Sequence, residues 1–88
     1  MEKRIGKITH YFDRIGVAVL DLEDGLKVGD TIHITGHRIE LTQQVQSMEI
    51  EHEKMQAVGA GADVALKVVE PVHKGDVIYR ALDRHTFF

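Results

Sequence analysis

The chain has 88 residues, of which 43% are hydrophobic, and its 11 Lys and Arg residues against 14 Asp and Glu residues set the formal net charge at −3. This length predicts one small domain, and a chain of this size buries only about 60% of the surface that it exposes when unfolded. Disulfides and thiolate metal sites are excluded because the chain has no cysteine. The charge disfavours a strongly basic nucleic-acid binder. The longest apolar run covers residues 16–20, far short of the ~20 residues of a membrane span, and no secretory leader is visible. We therefore expect a cytoplasmic protein with no membrane partner.

Short β-branched runs, separated by turn residues, are the main pattern along the chain. Alternation such as Thr31-Ile32-His33-Ile34-Thr35 is typical of a strand with one buried face. Residues 39–52 predict either two strands or one strand with a bulge, and residues 53–57 are compatible with a single helical turn. The other predicted strands cover residues 5–12, 16–22, 31–35, 63–69 and 76–82.

These runs predict an all-β fold, in the form of a small closed Greek-key β-barrel of six or seven strands. Closure removes unpaired strand edges, which is how small β-proteins avoid pairing with other chains. One domain occupies residues 1–88, with its core in residues 4–82 and a short C-terminal tail at residues 83–88 that contains Phe87 and Phe88. The expected core residues are Ile32, Ile34, Met48, Ile50, Val64 and Leu66.

The residue types that carry enzyme chemistry are scattered along the chain. Six histidines fall in different segments, and the closest suitable spacing, His33 with His37, lies on a strand and a turn rather than on a helix. Ser47 is the only serine, and neither a nucleophile elbow nor a phosphate-binding loop is present. We therefore expect no catalytic residue, cofactor, metal or GTP binding, and we do not expect an enzyme.

The first candidate binding surface combines aromatic and cationic residues of two turns. Tyr11 and Phe12 end the first predicted strand and precede Arg14 at the tip of the first hairpin, and His37 and Arg38 belong to the turn after the third predicted strand. Rings and cations that lie close together suit a small anion-contacting rim, with RNA as a candidate ligand. The plainer interpretation is that these are solvated turn charges.

The second candidate surface is acidic. Glu49, Glu51 and Glu53 alternate along the chain, so they are expected to share the solvent face of one strand, and Asp63 belongs to the same surface. Carboxylates repel a phosphate backbone but suit a basic protein surface. A protein partner on the acidic side is therefore preferred, and RNA contact at the first turn is secondary. A plain solvated face remains the alternative.

The order of several motifs resembles domain 2 of translational GTPases of the elongation factor Tu type. The motifs are Gly6-Lys7-Ile8, Gly16-Val17-Ala18-Val19 and residues 25–32, 45–50, 57–66 and 74–78. Through residues 9–13 and 48–52, the whole chain resembles a stand-alone translation elongation factor-like protein. The resemblance implies a Greek-key β-barrel and places Glu49, Glu51 and Asp63 where the family holds the aminoacyl end of tRNA.

A similar barrel is found at the C-terminus of collagenase-like peptidase family proteins, several of which act in RNA modification. Two functions therefore stay open. The first is a non-catalytic binding module that docks to a protein partner, or to RNA or the ribosome, in a complex linked to translation or RNA modification. The second is an accessory module of a collagenase-like peptidase family enzyme, encoded as a separate chain.

Overall fold

The computed structural model describes residues 2–81, and within them the chain forms β-strands joined by turns. Eight strands form one antiparallel sheet in the order β5-β4-β10-β1-β2-β9-β6-β7, and β3 pairs with β8 in a second, two-stranded sheet. The prediction of an all-β fold is confirmed. The strands of the described residues are β1 (Glu2–Phe12), β2 (Val17–Leu22), β3 (Leu26–Lys27), β4 (Thr31–Thr35), β5 (Glu40–Gln44), β6 (Met48–Ile50), β7 (Glu53–Met55), β8 (Ala57–Val58), β9 (Asp63–Lys67) and β10 (Val77–Ala81).

The predicted closed barrel of six or seven strands is wrong. The two end strands of the observed sheet, β5 and β7, are not paired with each other in the described part of the chain, so the sheet stays open. A side chain of β5 instead connects this strand to the end of β9. The Gln43 amide donates from Nε2 to the carbonyl oxygen of Lys67 at 3.0 Å, and the N–H of Val69 donates to its Oε1 at 2.9 Å. One buried amide therefore makes the bonds that a neighbouring strand would make, and we call this contact the Gln43 seam.

The least regular predicted segment, residues 39–52, contains the two strands β5 and β6. The helical turn considered for residues 53–57 is absent, because this stretch forms β7 and enters β8. The reversal between β6 and β7 uses Glu51 and His52, whose φ angles of 50° and 70° lie in the left-handed region. Two such residues in succession characterise a tight hairpin turn, which usually contains Asn or Gly. The sequence lacks that signal here.

The first strand, β1, is bent by two register shifts. One falls between Arg4 and Gly6 in its pairing with β10, and the other falls between Ile8 and His10 in its pairing with β2. A Cβ atom on Gly6 would collide with the backbone carbonyl oxygen of Asp21, so glycine is required at this close approach. Such bulges increase the local bend, and they let one long strand pair with both of its neighbours.

The core lies on the inner face of the curved sheet. Of the expected core residues, Ile32, Ile34, Met48, Val64 and Leu66 are buried, as predicted. Ile50 is only partly buried and packs against the edge of the core, because it lies at the end of β6 beside the hairpin turn. Each fully buried aliphatic side chain of this size stabilises the fold by roughly 1.5–3 kcal/mol.

The predicted C-terminal tail, with Phe87 and Phe88, lies outside the described residues, as do Met1 and Leu82. None of the residues that the structure describes forms a helix long and apolar enough to cross a membrane.

Candidate docking surface

The outward face of β1, β2 and β9 carries apolar side chains. Burial alternates along β2, so Val17 and Val19 lie on the face opposite the core. Residues paired across strands share a face. Val17 therefore stands in a row between Phe12 of β1 and Lys67 of β9.

A second row runs parallel to the first, two residues later on β2 and two residues earlier on β1 and β9. It places Val19 between His10 of β1 and Ala65 of β9, and it continues to Glu49 of β6 and Lys54 of β7. The His10 and Phe12 rings connect the two rows, because their centroids are 4.5 Å apart. The outward face thus has an apolar centre with charged residues at its margin.

The large hydrophobic side chains that are most exposed among the described residues extend this centre to one end of the sheet. Phe12 is 45% exposed, Ile15 57% and Val69 60%. Two hydrogen bonds hold the turn between β1 and β2 against the end of β9. Lys67 Nζ donates to the Ile15 carbonyl at 2.6 Å, and the N–H of Val68 donates to the Gly16 carbonyl at 2.9 Å. We define the apolar strip as Phe12, Ile15, Val17, Val19, Ala65 and Val69.

A hollow of about 160 Å³ opens within the strip. Its lining contains the apolar side chains of Val17 and Ala65 together with Ser47, Glu49 and Lys67. A hydroxyl, a carboxylate and an ammonium group thus border an apolar floor, and this arrangement suits one amphipathic side chain of a partner.

The charges around the apolar strip balance. A third row places Lys7, Asp21 and Asp63 side by side on β1, β2 and β9. With Lys54, Lys67 and Glu49 of the other rows, three cations face three carboxylates. Protein surfaces that bind nucleic acid are dominated by cations, whereas cations and carboxylates are equal in number on this face.

The structure separates the two halves of the first predicted surface. Phe12 lies in the apolar strip and Arg14 is exposed at the tip of the same turn, but Tyr11 packs against the core. His37 and Arg38 lie exposed in the turn between β4 and β5. His37 borders a different hollow, of about 570 Å³, together with Lys74 and Gly75 of the loop before β10.

The predicted acidic surface is also divided. Glu49 lies on β6, directly opposite Lys54 of β7. Glu51 belongs to the hairpin turn between β6 and β7, and Glu53 begins β7. The prediction that these three carboxylates share one strand face is wrong, because the chain reverses between them. Asp63 lies on β9, in the row with Asp21.

At the other end of the sheet, charged side chains satisfy one another. The Asp24 carboxylate accepts hydrogen bonds from Lys3 Nζ at 2.6 Å and from the N–H of Gly25 at 2.7 Å, and it lies 3.5 Å from Arg80 Nη2. The hydrogen bond from Lys3, followed by that from Gly25, lowers the pKa of Asp24 below its usual value of 3.8. Arg80 also donates to the carbonyl oxygen of Gly25. We call Lys3, Asp24 and Arg80 the charged cluster.

Sequence reasoning missed most of the apolar strip. Alternation along residues 17–22 is compatible with Val17 and Val19 on one face, but only the sheet order shows that Ala65 and Phe12 flank them. Nor does any sequence signal connect the turn that contains Ile15 with the end of β9, because the connection depends on long-range hydrogen bonds to the carbonyls of Ile15 and Gly16. Within residues 2–81, no three His, Asp or Glu side chains come together as a group that would hold a metal ion.

Comparison with known proteins gives relatives of one kind, although no family model matches the chain. An uncharacterized protease of Methanocaldococcus jannaschii is 33% identical over 76 residues, which are 85% of this chain and 19% of that protein. A collagenase of Porphyromonas gingivalis is 35% identical over 78 residues, which are 86% of this chain and 22% of that protein. The chain thus spans about a fifth of the length of these relatives.

The fold is that of a known isolated domain. A crystal structure of the C-terminal domain of a protein described as a U32 peptidase, from Geobacillus thermoleovorans, superposes with a TM-score of 0.85 at 19% identity and covers 91% of this chain and 93% of that one. Its selenomethionine variant gives a TM-score of 0.82 at 20% identity and covers 86% and 96%. The resemblance to elongation factors, with its link to translation, is therefore wrong: this chain is similar to protease- and collagenase-type proteins, and its fold is that of a U32 peptidase C-terminal domain.

Proposed function

We propose that this chain is a non-catalytic docking module of a U32 peptidase- or collagenase-type protein. The observation that carries the proposal is a difference in coverage. The match spans nearly the whole of an isolated C-terminal domain, but only about a fifth of the relatives that are named as protease and collagenase. A unit of this kind accompanies a much larger body, and we assign the reacting groups to that body.

The outward face of the sheet supports a docking role. The apolar strip keeps Phe12, Ile15 and Val69 substantially exposed, and exposed apolar groups rimmed by polar residues are typical of protein interaction sites. Around the strip, cations and carboxylates are equal in number, and a polar rim is typical of protein–protein interfaces. These features support a protein partner over a polyanion.

The groups near the hollow support a non-catalytic role. Ser47 and Lys67 border the same hollow, but the Lys67 ammonium donates to the Ile15 carbonyl at 2.6 Å. A side chain held in this way fixes the turn between β1 and β2, so we assign it a structural role rather than the activation of a nucleophile.

A domain exchange tests the proposal. Three forms of the Porphyromonas gingivalis protein are compared: the parent, a form without its 78 matching residues, and a chimera that carries this chain in their place. Cleavage of gelatin is measured for each form and for the isolated chain. We expect the deletion to lose activity, the chimera to recover it, and the isolated chain to cleave nothing.

The control is the deletion form with its own segment restored at the same junctions. Cleavage by the isolated chain would refute the non-catalytic role. A chimera no more active than the deletion, when the restored parent is active, would refute the docking role.

A further inference from the structure

We infer that the apolar strip is the interface with the larger body of the peptidase-type protein, and that this body presents an apolar centre, a carboxylate opposite Lys67 and an Arg or Lys between Asp21 and Asp63. This inference rests on the proposed function, and it names the surface that the function uses and the chemistry of the surface that covers it.

The apolar strip combines half-buried and exposed side chains. Val17, Val19 and Ala65 are half-buried within the sheet, and Val17 is paired directly with exposed Phe12, whereas Lys67 lies between Ala65 and Val69. Such a face loses unfavourable contact with water when a second apolar surface covers it, at about 25 cal/mol for each Å².

The charges around the apolar strip differ in sign between its two margins, with a cation near the turn and two carboxylates at the opposite margin. The row nearest the turn contains one cation, Lys67, whereas the row at the opposite margin contains Asp21 and Asp63 directly paired across β2 and β9. Like charges paired across neighbouring strands destabilise a sheet. Lys7 lies next to Asp21 in that row, but it forms no ion pair within the described residues. A cation of the partner, placed between the two carboxylates, would remove the repulsion.

The size of the face is small for an assembly of independent proteins and lies within the range of contacts between domains. Its extent from β1 to β6 and from residue 63 to residue 69 is about 14 Å by about 20 Å from strand spacing and rise, or roughly 300 Å². A stable complex of independent proteins needs about 800 Å² on each side, whereas contacts between domains of one chain begin near 600 Å² in total. Because the relatives contain a body about four times as large as the matching segment, we identify that body as the occupant.

Oxidative footprinting of Phe12 tests the inference, since the ring is 45% exposed and reacts with hydroxyl radicals where water reaches it. The isolated chain is compared with the chimera described above. We expect oxidation of Phe12 to fall about fivefold in the chimera, because interface centres exclude water. Tyr79 of β10 serves as the internal reference and is expected to keep its rate.

Charge reversal then tests the chemistry of the partner. In the chimera, Asp63→Lys should return Phe12 oxidation to the rate of the isolated chain, Asp63→Asn should do so in part, and the matched reversal Glu53→Lys should leave the protection intact. Asp63 and Glu53 are both exposed, so the isolated variants are expected to fold, and their circular dichroism verifies this.

The outcomes separate the two proposals. A chimera that cleaves gelatin but leaves Phe12 unprotected refutes the interface and spares the docking role. A chimera no more active than the deletion, when the restored parent is active, refutes the docking role, and if Phe12 is also unprotected it refutes the interface as well. Protection of Phe12 that rises with the concentration of the isolated chain assigns the strip to a second copy. Protection that appears only on addition of gelatin assigns it to the substrate. Either result overturns the inference.

Discussion

The two ends of the sheet satisfy their exposed side chains in opposite ways. At the charged cluster, Asp24 accepts bonds from Lys3 and from the chain itself and lies beside Arg80. At the other end, the turn between β1 and β2 keeps Phe12 and Ile15 exposed. The first end pairs its charges within the domain, whereas the second end leaves large apolar side chains in contact with water. This difference is the reason why the proposed docking surface is placed at the turn between β1 and β2 rather than at the charged cluster.

The largest effect on stability is expected from the core that both ends share. Leu66 is fully buried, whereas its neighbour Ala65 belongs to the apolar strip on the other face of β9. Leu66→Ala should lower the free energy of unfolding by about 2–5 kcal/mol, because a cavity remains. Ala65→Ser is the matched control, with an expected change below about 0.5 kcal/mol. Urea denaturation measures both, and equal effects would contradict the assignment of faces.

A smaller loss of stability is expected at the bulge near Gly6 in β1, the long strand that runs between the two ends of the sheet. Gly6→Ala would push a methyl group into the carbonyl oxygen of Asp21, and relief requires the paired strands to separate. We expect a loss of about 3 kcal/mol. Gly59→Ala is the control, since no atom lies within 4 Å of the added carbon. Thermal unfolding compares the two variants, and a Gly6 variant as stable as the control would show that the close approach is absent in solution.

The Gln43 seam should contribute somewhat less. Gln43→Leu keeps the volume but leaves the carbonyl of Lys67 and the N–H of Val69 without their partner. The expected loss is about 2 kcal/mol, with the exposed neighbour Gln44→Leu as the reference. If both variants unfold at the same urea concentration, the side-chain bridge carries no stability.

The smallest effect on stability is expected from Asp24 in the charged cluster, and its dependence on pH distinguishes this cluster from the apolar strip. Because the folded state lowers the pKa of Asp24 below 3.8, the contribution of its carboxylate is present above 3.8 and disappears as the pH falls through the lowered value. The stability difference between the wild type and Asp24→Asn should therefore shrink on acidification, as measured by urea unfolding at successive pH values.

Removal of Lys3, the main cause of the shift, provides the control. In a Lys3→Met background, the pH dependence of the Asp24→Asn difference should be reduced. If the stability difference caused by Asp24→Asn does not change with pH, either in the wild type or in the Lys3→Met background, the ion pair between Lys3 and Asp24 does not stabilise the protein in solution.

Alternation of apolar and polar residues was sufficient to predict the longer strands and five of the buried core residues, but it missed the short strands β3, β7 and β8. It placed β4 at residues 31–35 and identified Val64 and Leu66 as buried, because a strand with one buried face has a period of two. It failed where the chain reverses without the usual residues. Glu51 and His52 adopt positive φ values, and this reversal separates three glutamates that were predicted to share a face.

The open sheet with its Gln43 seam was beyond the pattern, and so was the choice between the two resemblances, of which the comparisons support the one to collagenase-like peptidases. Gln43 follows the alternation of a buried strand residue, but nothing local indicates that its amide meets the end of β9. The motifs that resembled elongation factors are turn glycines and alternating valines, and these residues specify a β-fold shared by proteins of unrelated function.

The Gln43 seam also has a consequence for the time course of local opening. The amide proton of Val69 is bonded to a side chain, so rotation of one glutamine releases it while the strand ladders remain intact. Its hydrogen exchange with solvent therefore follows a local fluctuation, whereas amides in the ladder between β2 and β9 exchange through larger openings. Because Val69 is also part of the apolar strip, this single amide reports on whether a covering surface restrains the seam.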